Sequence, residues 1–149
     1  MIQESIKIRG DLNIVLKDEN GNIKEQREEK NLVVNAGLAF ITSRMTDAAD
    51  SVMSHMAVGS DSTAAAAGDT DLGSILGSRE ALDSTTDSAA TITYVASFEA
   101  GDGTGAITEA GIFNASTGGT MLCRTVFSTV NKGANDTMTI TWTITLSAS

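Results

Sequence analysis

Thr137-Met138-Thr139-Ile140-Thr141-Trp142-Thr143-Ile144-Thr145-Leu146 alternates without a break between threonine and a large apolar side chain. A period of two belongs to a β-strand, whose successive side chains leave on opposite faces. One face of this strand is therefore buried, with Trp142 at its centre, and the other is an unbroken row of threonines. That row suits either water or a dry contact with a neighbouring chain.

Working back from this segment, Met121 to Val130 reads as the preceding strand, separated from it by the turn Asn131-Lys132-Gly133-Ala134-Asn135-Asp136. Ala106 to Asn114 is another strand, closed by Thr117-Gly118-Gly119. The Gly101-Asp102-Gly103-Thr104-Gly105 run before it reads as a strand connection rather than a phosphate cradle, because Ala106-Ile107-Thr108 looks extended, not helical. In Thr91 to Phe98, Ile92, Tyr94, Ala96 and Phe98 alternate with Thr91, Thr93, Val95 and Ser97.

At the other end, Ile6, Ile8, Leu12, Ile14 and Leu16 alternate with polar or smaller residues. The Asn20-Gly21 pair then supplies the positive φ angles of a tight turn, and a highly charged returning strand runs from Ile23 to Lys30. Charge on both sides of that strand marks it as an edge protected from open-ended pairing. One short helix is expected over 36–46, capped by Asn35, with Leu38, Phe40, Ile41 and Met45 on one face. A strand is expected over Met53 to Val58. A polar surface loop follows over 60–71, with a helical turn near Leu72 to Leu76 and an acidic loop over 83–89. The fold class that results is mainly β: an antiparallel β-sandwich, jelly-roll-like, or a flattened barrel with one short helix, formed by a single domain over 1–149.

Ten Lys and Arg against nineteen Asp and Glu give a formal charge of -9 over 149 residues. Such an imbalance repels polyanions, so nucleic acid and anionic membrane are not expected partners. Residues 1–47 hold seven basic and eight acidic side chains, which leaves three and eleven for the rest. No apolar run approaches the roughly 20 residues needed to span a bilayer, and the start Met1-Ile2-Gln3-Glu4-Ser5 lacks a secretion pattern. There is no proline, so turns fall to Gly, Asn, Asp and Ser.

The residue types that carry chemistry are sparse. His55 is the only histidine and Cys123 the only cysteine; the first reads as a packed or edge residue, the second as a small buried thiol. Together they cannot supply a zinc set. Asp61, Asp69 and Asp71 are loop carboxylates of the kind that cap turns, though they also invite a weak calcium site. Asp18 to Asn22 departs from the EF-hand spacing and fits a hairpin turn. The expectation is no enzyme, no catalytic residue, no metal and no cofactor.

The motifs Asn31-Leu32-Val33-Val34-Asn35-Ala36-Gly37, Met56-Ala57-Val58-Gly59, Gly68-Asp69-Thr70, Glu109-Ala110-Gly111-Ile112-Phe113, Gly118-Gly119-Thr120 and Arg124-Thr125-Val126-Phe127 run through most of the chain. With the Lys132-Gly133 turn and the Trp142 strand, this set resembles a family of small bacteriophage structural proteins described as virion, capsid-decoration or tail-fibre-like. The resemblance implies assembly within a virion formed in the host cytoplasm. Its implied partners are the major capsid protein or other virion subunits, with homo-oligomerisation. It implies a cement protein that bridges coat subunits, with a tail-fibre or tail-adaptor module as the alternative. A carbohydrate-binding domain would be a third class, for which the chain offers few aromatics. The hairpin 4–30 is the candidate contact element, and Lys7, Arg9, Lys17, Lys24, Arg27 and Lys30 are its candidate contact residues.

Overall fold

The computed structural model describes residues 4–46 and 50–148; the reading of Met1 to Gln3 lies outside them. Ten strands and one helix follow in the order β1 Ile6–Lys17, β2 Ile23–Lys30, β3 Leu32–Val33, α1 Asn35–Arg44, β4 His55–Gly59, β5 Glu80–Ala81, β6 Ser84–Ser88, β7 Thr91–Phe98, β8 Gly105–Phe113, β9 Met121–Lys132 and β10 Thr137–Ala148. They form two five-stranded sheets, here called A (β2-β1-β10-β7-β6) and B (β3-β9-β8-β4-β5). All the strand pairs are antiparallel. The architecture is a β-sandwich with one short helix.

The threonine-apolar alternation of β10 decides the centre of sheet A. β10 lies between β1 and β7, with Trp142 opposite Leu12 on one side and Tyr94 on the other. The apolar faces of these three strands meet Met56, Val58, Ile107, Ala110, Ile112, Cys123, Phe127 and Val130 of sheet B in one continuous core. A second, smaller cluster of Val34, Ala57, Leu72, Phe113 and Met121 lies apart from this core.

Several local expectations change. The hairpin between β1 and β2 uses a positive φ only at Gly21, not at Asn20. The Gly21 N–H bonds the Asp18 carbonyl at 3.0 Å, and the Asp18 carboxylate accepts the Asn20 and Asn22 amides, each at 2.9 Å. This is a turn closed by a left-handed glycine with a bulge at Leu16/Lys17, one step longer than a two-residue hairpin. The helix takes Val34, not Asn35, as its N-cap, with no side-chain cap bond. Asn35 is already helical, and its amide is held instead by the Ala67 carbonyl at 2.8 Å.

The packing face of the helix also differs. Phe40 is buried, but Leu38 and Met45 are exposed. The cause is Gly37: a Cβ there would lie 2.0 Å from the Leu122 carbonyl oxygen, so α1 approaches β9 backbone to backbone through that glycine and turns Leu38 outward. Residues 72–76 form no helical turn; Ile75 makes an isolated bridge with Gly59. Most of the 83–89 segment, expected as a loop, is strand β6.

Tyr94, the only tyrosine, lies in the core next to Trp142. Burial pushes its hydroxyl from the ordinary 10.0 up to about 12, with a smaller contribution from Cys123. The folded chain keeps this proton where an unfolded chain has lost it. The stability it contributes is therefore complete below pH 10 and is lost as pH rises through about 12. A titration of phenolate absorbance should give a midpoint near 12 in the native chain and near 10 in denaturant. A native midpoint near 10 would put this ring in water.

Candidate functional site

The six basic residues of the hairpin do not act as one patch. Even-numbered β1 residues Leu12, Ile14 and Leu16 enter the core, which turns Lys7, Arg9, Asp11 and Lys17 to the outer face of sheet A. Arg9 Nε and Lys30 Nζ both donate to the Asp11 carboxylate, at 2.7 and 3.1 Å. Partial burial pushes the Asp11 carboxyl up, but the bonds from Lys30 and Arg9 outweigh it and hold it below the ordinary 3.8. Lys24 crosses to Asp136 in the β9–β10 turn at 2.7 Å. That bond and the Gly133 amide hold the Asp136 carboxyl below its ordinary range. Lys7 and Lys17 are exposed and form no ion pair with another described residue.

Arg27 is placed differently from the others. Opposite Ile14, it turns to the inner face, where Glu25 accepts its Nε at 2.7 Å. Its two terminal nitrogens donate to the Ser128 and Thr129 carbonyls of β9, each at 3.1 Å. It ties the edge of sheet A to sheet B and is a fastening of the fold rather than a free contact residue.

Beside the Arg9-Asp11-Lys30 group run the threonines of β10, half-buried because β1 and β7 flank them. Thr93 and Thr143 face each other across the strands with their hydroxyl oxygens 3.3 Å apart. Arg9, Asp11, Asn13, Glu28, Lys30 and Thr141 border a shallow hollow on this face. The outer face of sheet A therefore combines one paired charge group, Arg9-Asp11-Lys30, with hydroxyls that already have neighbours.

The outer face of sheet B is covered by the 60–79 segment, held by a charged group that the sequence did not announce. Glu109 is fully buried and accepts four hydrogen bonds: from Arg124 Nε at 3.1 Å, and from the amides of Gly73 at 2.8 Å and of Asp61 and Ser74 at 2.9 Å. The buried Arg124 guanidinium also donates to Asp69 Oδ2 at 3.0 Å and to the Thr63 carbonyl at 3.1 Å. Within the segment the chain packs so closely on itself that a Cβ on Gly73 would fall 1.7 Å from Asp61 Oδ2. Arg79 fastens the other end. Its guanidinium sits 3.5 Å from the Phe113 ring centroid and donates to the Ala115 and Gly118 carbonyls at 2.9 and 2.8 Å.

The loop aspartates considered for calcium thus face arginine. Asp61 and Asp69 lie 3.7 and 3.0 Å from Arg124, and Asp71 lies 3.5 Å from Arg79. His55 is half-buried in β4, its Nδ1 2.8 Å from the adjacent Ser54 hydroxyl. Cys123 is buried on the core side of β9, and burial raises its thiol well above the ordinary value. Glu109 and Arg124 each open a short stretch singled out in the sequence, yet nothing in their local spacing reveals the pairing. The only signal available was charge at strand positions that should be apolar. No protein-family model, curated protein or solved structure matches this chain.

Proposed function

We propose that the chain is a structural protein of a bacteriophage virion, most specifically a capsid decoration (cement) protein that binds the major capsid protein through the outer face of sheet A. The observation that carries this reading is the composition of that face: Arg9, Asp11 and Lys30 are mutually paired beside the half-buried threonine row of β10. Covering charge normally costs free energy because each ion loses its water. Here Arg9 and Lys30 already meet Asp11, so a partner that covers this stretch, leaving Lys7 and Lys17 at its rim in water, dries it without separating those three charges from one another. Threonine methyl groups add apolar area along the same surface. A stable contact needs about 1,600 Å² in total, and a shell with many identical positions multiplies a modest gain per copy.

A tail-fibre or tail-adaptor module is the second reading, and the uncovered edge strand β6 favours it, since copies that join edge to edge gather around an axis. Quantitative mass spectrometry of purified particles separates the two. Copy numbers on the order of hundreds support a cement role, and on the order of a dozen a tail role. Absence from intact particles overturns both.

A further inference from the structure

A sandwich of two open sheets has four edges, and three of them here are closed to pairing. Sheet B ends on two-residue strands, β3 and β5. In sheet A, β2 carries six charges in eight residues, with Arg27 turned inward and bound to the facing sheet. Short strands, edge charges and inward-pointing charges are the devices by which proteins prevent edge-to-edge association.

The fourth edge, β6, is nearly free of them. Its sequence Ser84-Thr85-Thr86-Asp87-Ser88 holds one charge, all five residues are exposed, and no described strand pairs with its outer side. We infer that β6 is a self-association edge, at which a second copy of this chain adds antiparallel across a two-fold axis at Thr86.

The occupant follows from the strand's own symmetry. With the axis at Thr86, Ser84 lies opposite the partner's Ser88, Thr85 opposite its Asp87, and Thr86 opposite its own counterpart. Each cross-strand pair is then hydroxyl with hydroxyl or hydroxyl with carboxylate, and no two carboxylates face each other directly. The register with β7 puts Ser84, Thr86 and Ser88 on the same face as Val95, Thr93 and Thr91. Two copies so joined form one ten-stranded sheet whose outer face continues the threonine surface. The inference deepens the second reading above, which rests on the same edge, by naming the register and the two-fold axis, and it is tested on the purified chain apart from any particle.

Sedimentation equilibrium of the full chain over a concentration series tests it. A reversible monomer–dimer equilibrium is expected, with amides of 84–88 gaining hydrogen-exchange protection in the dimer. Thr86→Lys sets two ammonium groups against each other at the axis and should weaken dimerisation by roughly tenfold or more. Its circular dichroism should stay native, since the side chain is exposed. Gln26→Lys, on the closed edge β2, should leave dimerisation unchanged. A native chain that stays monomeric throughout, a Thr86→Lys chain that dimerises equally well, or a dimer lost on Gln26→Lys would each overturn the inference. The first of these outcomes is also the one expected if the edge instead serves an extended segment of another protein.

Discussion

Replacing Trp142 by alanine should lower the free energy of unfolding by about 3–5 kcal/mol, measured by urea denaturation followed by circular dichroism. Trp142 is fully buried at the centre of the core, between Leu12 and Tyr94 in its own sheet. Its indole N–H donates to Asn31 Oδ1 at 2.8 Å. The asparagine reaches that point through a gap in β1: Gly10 has no side chain, and a Cβ there would sit 1.3 Å from Asn31 Oδ1. Gly10 thus makes room for the side chain that satisfies the core's one indole. Trp142→Phe should cost less than alanine, about 1–3 kcal/mol, since it retains most of the ring but strands an acceptor. A loss below about 1 kcal/mol for the alanine variant would mean that the ring is not core.

Glu109→Ala should be comparably damaging, about 3–5 kcal/mol, because it leaves the Arg124 guanidinium buried without its partner. It also strips the acceptor from three loop amides, those of Asp61, Gly73 and Ser74. This distinguishes the site from a simple ion pair, where apolar replacement of both members is often neutral. Here Glu109→Leu combined with Arg124→Met should recover little, since the amides stay unpaired whatever happens to the arginine. The damage should be visible locally as faster hydrogen exchange and earlier proteolysis within 60–74. Full rescue by the double replacement would show that the carboxylate serves only Arg124.

What the sequence made legible tracks how locally each feature is encoded. The β10, β7 and β1 alternations are local, and their buried faces follow directly from them. β6 has polar residues on both faces, because it is an edge strand exposed along its whole length, and so it carries no alternation to detect. The helix packs on a face that its apolar spacing does not mark, because a glycine, not an apolar side chain, makes the closest contact. The Glu109 group and the Asn31–Trp142 bond join residues 15 to 111 positions apart, a separation that no local spacing encodes. The six basic residues lie along one hairpin in the sequence, but the inward turn of Arg27 depends on its register with β1.

The position of β10 also dictates an order of events during synthesis. It comes last among the described strands, yet it sits in the middle of sheet A, holding the β1–β2 hairpin on one side and the β6–β7 hairpin on the other. Until β10 has been made, those two hairpins have no common neighbour, and the apolar sides of β1 and β7 wait uncovered. Such long-range closure makes for slow folding and a nascent chain open to aggregation. A chain shortened before Thr137 would keep both hairpins and lose the strand that makes them one sheet.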